Sequence, residues 1–120
     1  MTRVVHCKKE KYDEYIGRPT NWGNPWTHRT SKVTDRIVES REEAVNNYRA
    51  WLLGEDFQNV LQRQRAWILK NLPILEGKTI ACLCHPKACH GDVLVEILEQ
   101  EKRSPGFIAS LLKKTNNHKI

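Results

Sequence analysis

The 120-residue chain has no apolar run near the roughly 18 residues that a membrane-crossing helix needs. Its first residues, Met-Thr-Arg-Val-Val-His-Cys, lack the apolar core of a signal peptide. These two absences predict a cytoplasmic protein without a membrane partner, whose thiols stay reduced. The chain also lacks G-x-G-x-x-G and the P-loop pattern, so neither common phosphate fingerprint identifies a ligand. Internal repeats and low-complexity segments are missing too. Aromatic residues make up 8% of the chain and do not interleave the basic residues, as a single-strand platform would require.

What remains is ordinary for one soluble domain: 39% hydrophobic and 28% charged residues, in a length that buries one core and is too short for two. The net charge of +6 favours phosphate-bearing or polyanionic partners. Part of that excess sits near the ends, at Lys8, Lys9 and Lys11 and at Lys113, Lys114 and Lys119, where a solvated surface explains it equally well.

Arg3 to Cys7 reads as a short β-branched strand and Tyr15-Ile16 as a second one ending at Gly17. Thr27 to Glu39 has no usable periodicity. Ser40 with Glu43 forms a capping box, and Ala44, Val45, Tyr48, Trp51 and Leu52 give the helix behind it one apolar face, ended by Gly54. Asp56 is expected to cap a second helix running to about Asn71. Thr79 to Leu83 is a continuous apolar run, the pattern of a strand buried on both faces. A third helix opens at Gly91-Asp92 and breaks at Ser104-Pro105-Gly106. Phe107 to Lys114 forms a short terminal helix, and Thr115 to Ile120 frays. The domain is thus placed at residues 1–103, with 104–120 a short helix and basic tail.

Two stretches carry chemistry. From Cys82 to His90, three of the four cysteines and two of the five histidines fall within nine positions, between a buried strand and a helix N-terminus. That is where α/β folds hold anions, because unpaired helical N–H groups converge there. Cys82 and Cys84, two apart along a strand, share one face. Three chemistries fit. Zinc could take Cys84, Cys89 and His90, with His85 or Cys82 as a fourth ligand, although the spacing is not a common zinc one. Cys89 could be a nucleophilic thiolate, since a helix N-terminus and nearby His85, Lys87 and His90 lower a thiol's pKa. The third option is a pocket wall, with the thiols packing as small apolar groups and His90 or Asp92 giving polar contacts.

The other stretch, Gly17 to Pro25, contains two glycines, two prolines and two asparagines. Gly17 and Gly23 are expected to supply positive φ, and Pro19 and Pro25 to fix the loop. Trp22 and Trp26 cap a core edge in a structural reading. In a functional one Arg18 forks onto a phosphate, Trp22 stacks and Asn24 holds a base or ribose edge.

Taken together, Tyr15-Ile-Gly-Arg-Pro-Thr-Asn-Trp-Gly-Asn-Pro25 and Ala81-Cys-Leu-Cys-His-Pro-Lys-Ala-Cys-His-Gly-Asp-Val-Leu94 resemble the family known as domain of unknown function 4326, found in bacteria, archaea and their viruses. The resemblance spans about residues 3 to 98 and matches at Gly17, Arg18, Trp22, Gly23, Asn24, Pro25, Cys84, Pro86, Cys89, His90, Gly91 and Asp92. It implies a compact α/β fold of Rossmann-like type and brings no established activity.

The expectation is therefore a compact, Rossmann-like, three-layer α/β domain with a small, mainly parallel sheet. Its pocket lies between the 17–25 loop and the 84–92 turn, at the C-terminal edge of the strands. The expected ligand is a nucleotide or nucleotide-derived molecule of the ADP-ribose or nucleoside type. Gly17, Arg18, Trp22, Gly23, Asn24, Cys84, His90 and Gly91 are the binding residues. If the protein is an enzyme, it cleaves or transfers at an N-glycosidic bond, with Asp92 stabilising a ribosyl cation and Cys89 the candidate nucleophile. The alternatives are a binder that sequesters a nucleotide signal and a zinc-stabilised nucleic-acid-binding module. No cofactor is expected apart from that zinc, and assembly into a homo-oligomer is left open.

Overall fold

A computed structural model describes residues 1–29 and 36–116. Three short parallel strands form the main sheet: β1 (Arg3–His6), β2 (Glu14–Tyr15) and β5 (Thr79–Cys82), in the order β1-β5-β2. β5 is central, and Ile80, Ala81 and Cys82 in it are fully buried, as its apolar run predicts. Arg3 pairs with Thr79 and His6 with Cys82 on one side, and Tyr15 pairs with Ala81 on the other. All three strands therefore end at the same edge. A second, two-stranded parallel sheet joins β3 (Trp26–Thr27) to β4 (Arg36–Ile37), within the stretch whose sequence has no periodicity.

Helix α1 (Arg41–Leu52) starts where the capping box places it, with Glu43 N donating to Ser40 Oγ at 3.0 Å. Its face of Ala44, Tyr48, Trp51 and Leu52 is buried, and it packs on α3 and β3. Helix α2 (Gln62–Asn71) begins five residues later than an Asp56 cap predicts. Residues 56–61 form an irregular turn instead. Trp51 Nε1 donates to Val60 O, and the Gln62 side-chain amide donates to Phe57 O and Val60 O. Phe57 and Leu61 adopt positive φ (58° and 37°). Those bonds hold the segment out of helical geometry, and Asp56 accepts only from the adjacent Phe57 N.

A 3-10 turn (Leu72–Leu75) leads to β5, and α3 (His90–Arg103) follows the thiol-rich turn. Helix α3 opens one residue before the expected Gly91, with Cys89 as its N-cap. Cysteine is not a usual cap, but here the Cys89 sulfur accepts from Gly91 N at 3.3 Å, and Asp92 Oδ2 accepts in return from Cys89 N at 3.2 Å. Helix α4 (Phe107–Asn116) buries Ile108 and Leu111 against α2 and α3. The stretch after 103 therefore contributes to the core rather than hanging as a tail. Its helix extends past the expected fraying point at Thr115, and residues 117–120 lie outside the described residues.

At the far end of α1, Arg65 is 1% exposed. Its Nε donates to Trp51 O (2.7 Å), and Nη2 donates to Leu52 O (2.9 Å) and Leu111 O (3.0 Å), which ties α1, α2 and α4 together. Burial lowers its pKa to about 10, so it remains a cation at neutral pH. A cation among the last carbonyls of a helix also complements the helix dipole.

Candidate anion-binding cavity

A cavity of about 260 Å³ opens at the C-terminal edge of β2 and β5. The 17–25 loop contributes Gly17, Arg18 and Asn24 to its wall, and the turn after β5 contributes Cys84, Ala88, Cys89 and His90. The structure thus brings the two motif stretches to one concave surface, at the strand ends where open α/β sheets bind ligands. The remaining wall comes from Tyr15, from Trp26 to Arg29, from Arg41, Ala44 and Val45 of α1, and from Cys82 and Leu83.

The loop is built by its own polar groups. Arg18 Nη1 donates to Asn24 O (2.9 Å) and Trp26 O (3.1 Å), and Nη2 to Thr27 Oγ1 (3.3 Å). Three of the five guanidinium N–H donors are thereby spent on shaping the loop. Asn24 is buried, with its amide donating to Ala44 O and its Oδ1 accepting from Trp26 N, both at 2.9 Å. Each of its polar ends makes a bond to the fold, which fixes its place in the cavity wall.

Neither Gly17 nor Gly23 has positive φ, contrary to expectation. Each is needed for close approach: a Cβ on Gly23 would lie 2.9 Å from Arg18 Cγ and 3.0 Å from Thr20 O, and one on Gly17 would strike the Tyr15 ring.

Several expected binders lie elsewhere. Trp22 is 5% exposed and packs edge-on against Trp67 at 4.9 Å, while its carbonyl accepts from Tyr48 Oη (2.8 Å). It is a core residue outside the cavity lining, so the stacking ring assigned to it is not presented there. Gly23 is likewise outside the lining. Gly91 packs against Ile16 and Val4, where an added Cβ would sit 2.8 Å from Ile16 Cδ1. The Asp92 carboxylate caps α3 from a position outside the lining.

Sequence reasoning missed two cations of the wall, Arg29 and Arg41. Arg41 is half-buried and Arg29 is exposed, and both line the cavity with Arg18. Among the described residues no Asp or Glu lines the cavity, and none pairs with any of these three arginines. Arg41 did carry a signal. A cation in the first turn of a helix opposes the dipole, so its place directly after the Ser40 cap is unfavourable unless it serves something else.

Three thiols of this wall lie close together. Cys82 and Cys89 are 0% and 1% exposed, with their sulfurs 2.7 Å apart, whereas Cys84 is half-buried. Tetrahedral zinc with bonds of about 2.3 Å would hold its sulfurs nearly 4 Å apart. Among the described residues no group of three or more His, Cys, Asp or Glu is arranged to hold a metal ion.

The neighbouring thiols of Cys82 and then Cys89 hold the Cys84 pKa far below the ordinary thiol value, with the charge of Arg41 adding to the effect and burial opposing it. The same contacts, together with burial, push Cys89 far up. Cys89, the expected nucleophile, is therefore a buried helix cap with a raised pKa, and Cys84 is the thiol whose pKa is held down. His90 is buried, and its Nε2 lies 2.7 Å from Ile16 O. A carbonyl only accepts, so Nε2 carries the proton and Nδ1, 3.6 Å from Cys89 Sγ, is left as an acceptor. Burial lowers the His90 pKa and keeps it neutral.

The fold and cavity define a small α/β domain of parallel strands with a cation-lined site at the strand ends. The chain belongs to the family described as Domain of unknown function (DUF4326), whose profile matches residues 3–100. It is 32% identical over 101 residues to an Enterobacteria phage T4 protein described as "Uncharacterized 12.4 kDa protein in nrdA-td intergenic region", a match covering 83% of this chain and 80% of that one. No solved structure matches the chain. No helix among the described residues is long and apolar enough to cross a membrane.

Proposed function

We propose that the cavity binds a nucleotide or nucleotide-derived anion, in a reduced Rossmann-like arrangement of parallel strands and flanking helices. The observation that carries this reading is the lining itself: Arg18, Arg29 and Arg41 surround one concavity, and no carboxylate among the described residues neutralises them. Confined cations without counter-charges favour phosphate, and arginine's planar fork suits its oxygens. The walls of Trp26, Val45 and Leu83 give an apolar surface for a sugar or base.

Volume narrows the class. At about 260 Å³ the cavity falls just below the roughly 300–1,000 Å³ of drug-sized sites. A nucleoside monophosphate or a ribose phosphate suits it, and ADP-ribose would place only one end inside. The ribosyl-cation chemistry expected of Asp92 has no carboxylate to run on among the described lining residues. Binding is thus the activity the geometry supports best.

A thermal-shift series with nucleoside monophosphates, ribose 5-phosphate, ADP-ribose and short oligonucleotides tests this. A ligand at a hundred times its Kd should add about 2.7 kcal/mol, a rise of several degrees in Tm. The reading predicts a monophosphate shift that Arg41→Ala removes. A shift with oligonucleotides alone, falling steeply with salt, would replace it with nucleic-acid binding.

A further inference from the structure

We propose that Cys84 is the nucleophile of this cavity, and that its substrate is a small anionic electrophile: a phosphate- or carboxylate-bearing molecule with a leaving group on a nearby carbon. The inference rests on the anion-binding reading of the same site and adds a covalent step to it.

Three observations converge on Cys84. All three thiols border the cavity, but Cys84 is half-buried, whereas Cys82 and Cys89 are 0% and 1% exposed. Cys82 and Cys89 are engaged with each other, the Cys89 thiol donating to the Cys82 sulfur at 2.7 Å, which leaves Cys84 as the thiol outside that pair. The third is that Arg18, Arg29 and Arg41 share its wall. The depressed pKa of Cys84 agrees with this geometry, since the neighbouring thiols Cys82 and Cys89 and the charge of Arg41 favour the thiolate. A buried thiol beside a helix N-terminus is shielded from substrate, so position alone separates Cys89 from Cys84.

The step is a displacement. The Cys84 sulfur lone pair forms a bond to the electrophilic carbon, and the leaving group departs with the electrons of the broken bond. The arginines hold the anionic end, which places the reacting carbon against the sulfur and raises the local concentration of negatively charged reagents.

Iodoacetate and iodoacetamide serve as probes, because they deliver almost the same carbon with and without a negative charge. The full-length chain is treated at pH 7 with sub-stoichiometric reagent, and the labelled cysteine is located by peptide mass spectrometry. The first carboxymethyl group should fall on Cys84. The ratio of iodoacetate to iodoacetamide rates there should exceed the ratio at half-buried Cys7, which is outside the cavity lining, by about tenfold or more. Inorganic phosphate should slow Cys84 labelling and leave Cys7 unchanged, a readout that needs no variant. Arg41→Gln should bring the two ratios together.

First labelling of Cys7, Cys82 or Cys89, or equal ratios at Cys84 and Cys7 in the wild-type protein, would overturn the proposal. The outcomes also separate it from the nucleotide reading. Nucleotide stabilisation with an inert Cys84 removes the nucleophile and keeps the binder. A reactive, anion-selective Cys84 in a protein that no nucleotide stabilises keeps the nucleophile and removes the nucleotide.

Discussion

Arg65 and Arg18 give their guanidinium donors to the same kind of acceptor, backbone carbonyl oxygens, yet they serve opposite ends of the molecule. Around Arg65 the carbonyls of α1 and α4 close over a cation that is 1% exposed. Around Arg18 the carbonyls belong to a loop that bends over a cavity, and two further arginines stand there without carboxylate partners among the described residues. One end spends its charge on holding helices together, whereas the other leaves charge unspent. On the proposed anion-binding reading, what separates a structural cation from a binding one is whether its surroundings complete its coordination, and burial or bond count alone would not tell.

The largest effect that tests this contrast comes from Arg65→Met. The variant removes three charged hydrogen bonds to backbone carbonyls, each contributing about 1.5–3 kcal/mol. A loss of at least 3 kcal/mol in urea unfolding is expected, with anion binding at the cavity retained in whatever fraction stays folded. Arg65→Lys should recover only part of the loss, because a point-like ammonium does not reproduce the planar fork. Equal stability of wild type and Arg65→Met would show that α1, α2 and α4 hold together without this residue.

Gly91→Ala comes next and bears on the other end. Its new Cβ would lie 2.8 Å from Ile16 Cδ1 and 3.2 Å from Val4 Cγ2, where α3 begins against the sheet. Overpacking of this kind costs about 1–3 kcal/mol. The helix N-terminus and the Cys89 cap would have to shift away from the strand edge, so binding and stability should fall together, unlike in Arg65→Met. An alanine tolerated with no change in Tm would mean that this interface is looser than its contacts indicate.

Much of the core was legible in the sequence, because local and tertiary preferences agree there. The apolar run of β5, the capping box of Ser40 and Glu43, and the 3.6-residue stripe of α1 each specify one answer. Legibility fails where side chains override the backbone's local preference. The segment from Asp56 to Leu61 reads as a helix start and is held as a turn by Trp51 and Gln62. Asn24 and Trp22 look like ligand contacts and turn inward to build the loop and core.

The cavity shows the same division. Its two motif stretches were readable as a pair, yet Arg29 and Arg41 come from outside both. Which of Cys84 and Cys89 is the more exposed sulfur depends on packing, and spacing does not encode that.

His90 tests the thiol side of the cavity through pH. Its lowered pKa means that below about 6.5 the unfolded chain binds a proton that the folded one refuses. Its contribution to stability is complete above that value and is lost as pH falls through the depressed folded value. Unfolding free energy should therefore decline as pH is lowered from 7 towards 5. In His90→Gln, whose amide can still donate to Ile16 O, that part of the slope should flatten. A slope unchanged by the substitution would assign the pH dependence to other groups.

The smallest effect on stability is the most informative for the comparison. Arg41 has no carboxylate partner among the described residues and occupies the first turn of α1, where its charge opposes the helix dipole. Removing it should leave the unfolding free energy within about 0.5 kcal/mol of wild type, as expected of a substitution that breaks no structural bond. The same Arg41→Ala variant should lose the phosphate-dependent thermal shift. A residue whose loss spares the fold and removes the ligand is kept for the ligand. If Arg41→Ala instead destabilised the chain as Arg65→Met does, the cavity's charge would be part of the scaffold, and the contrast between the two ends would collapse.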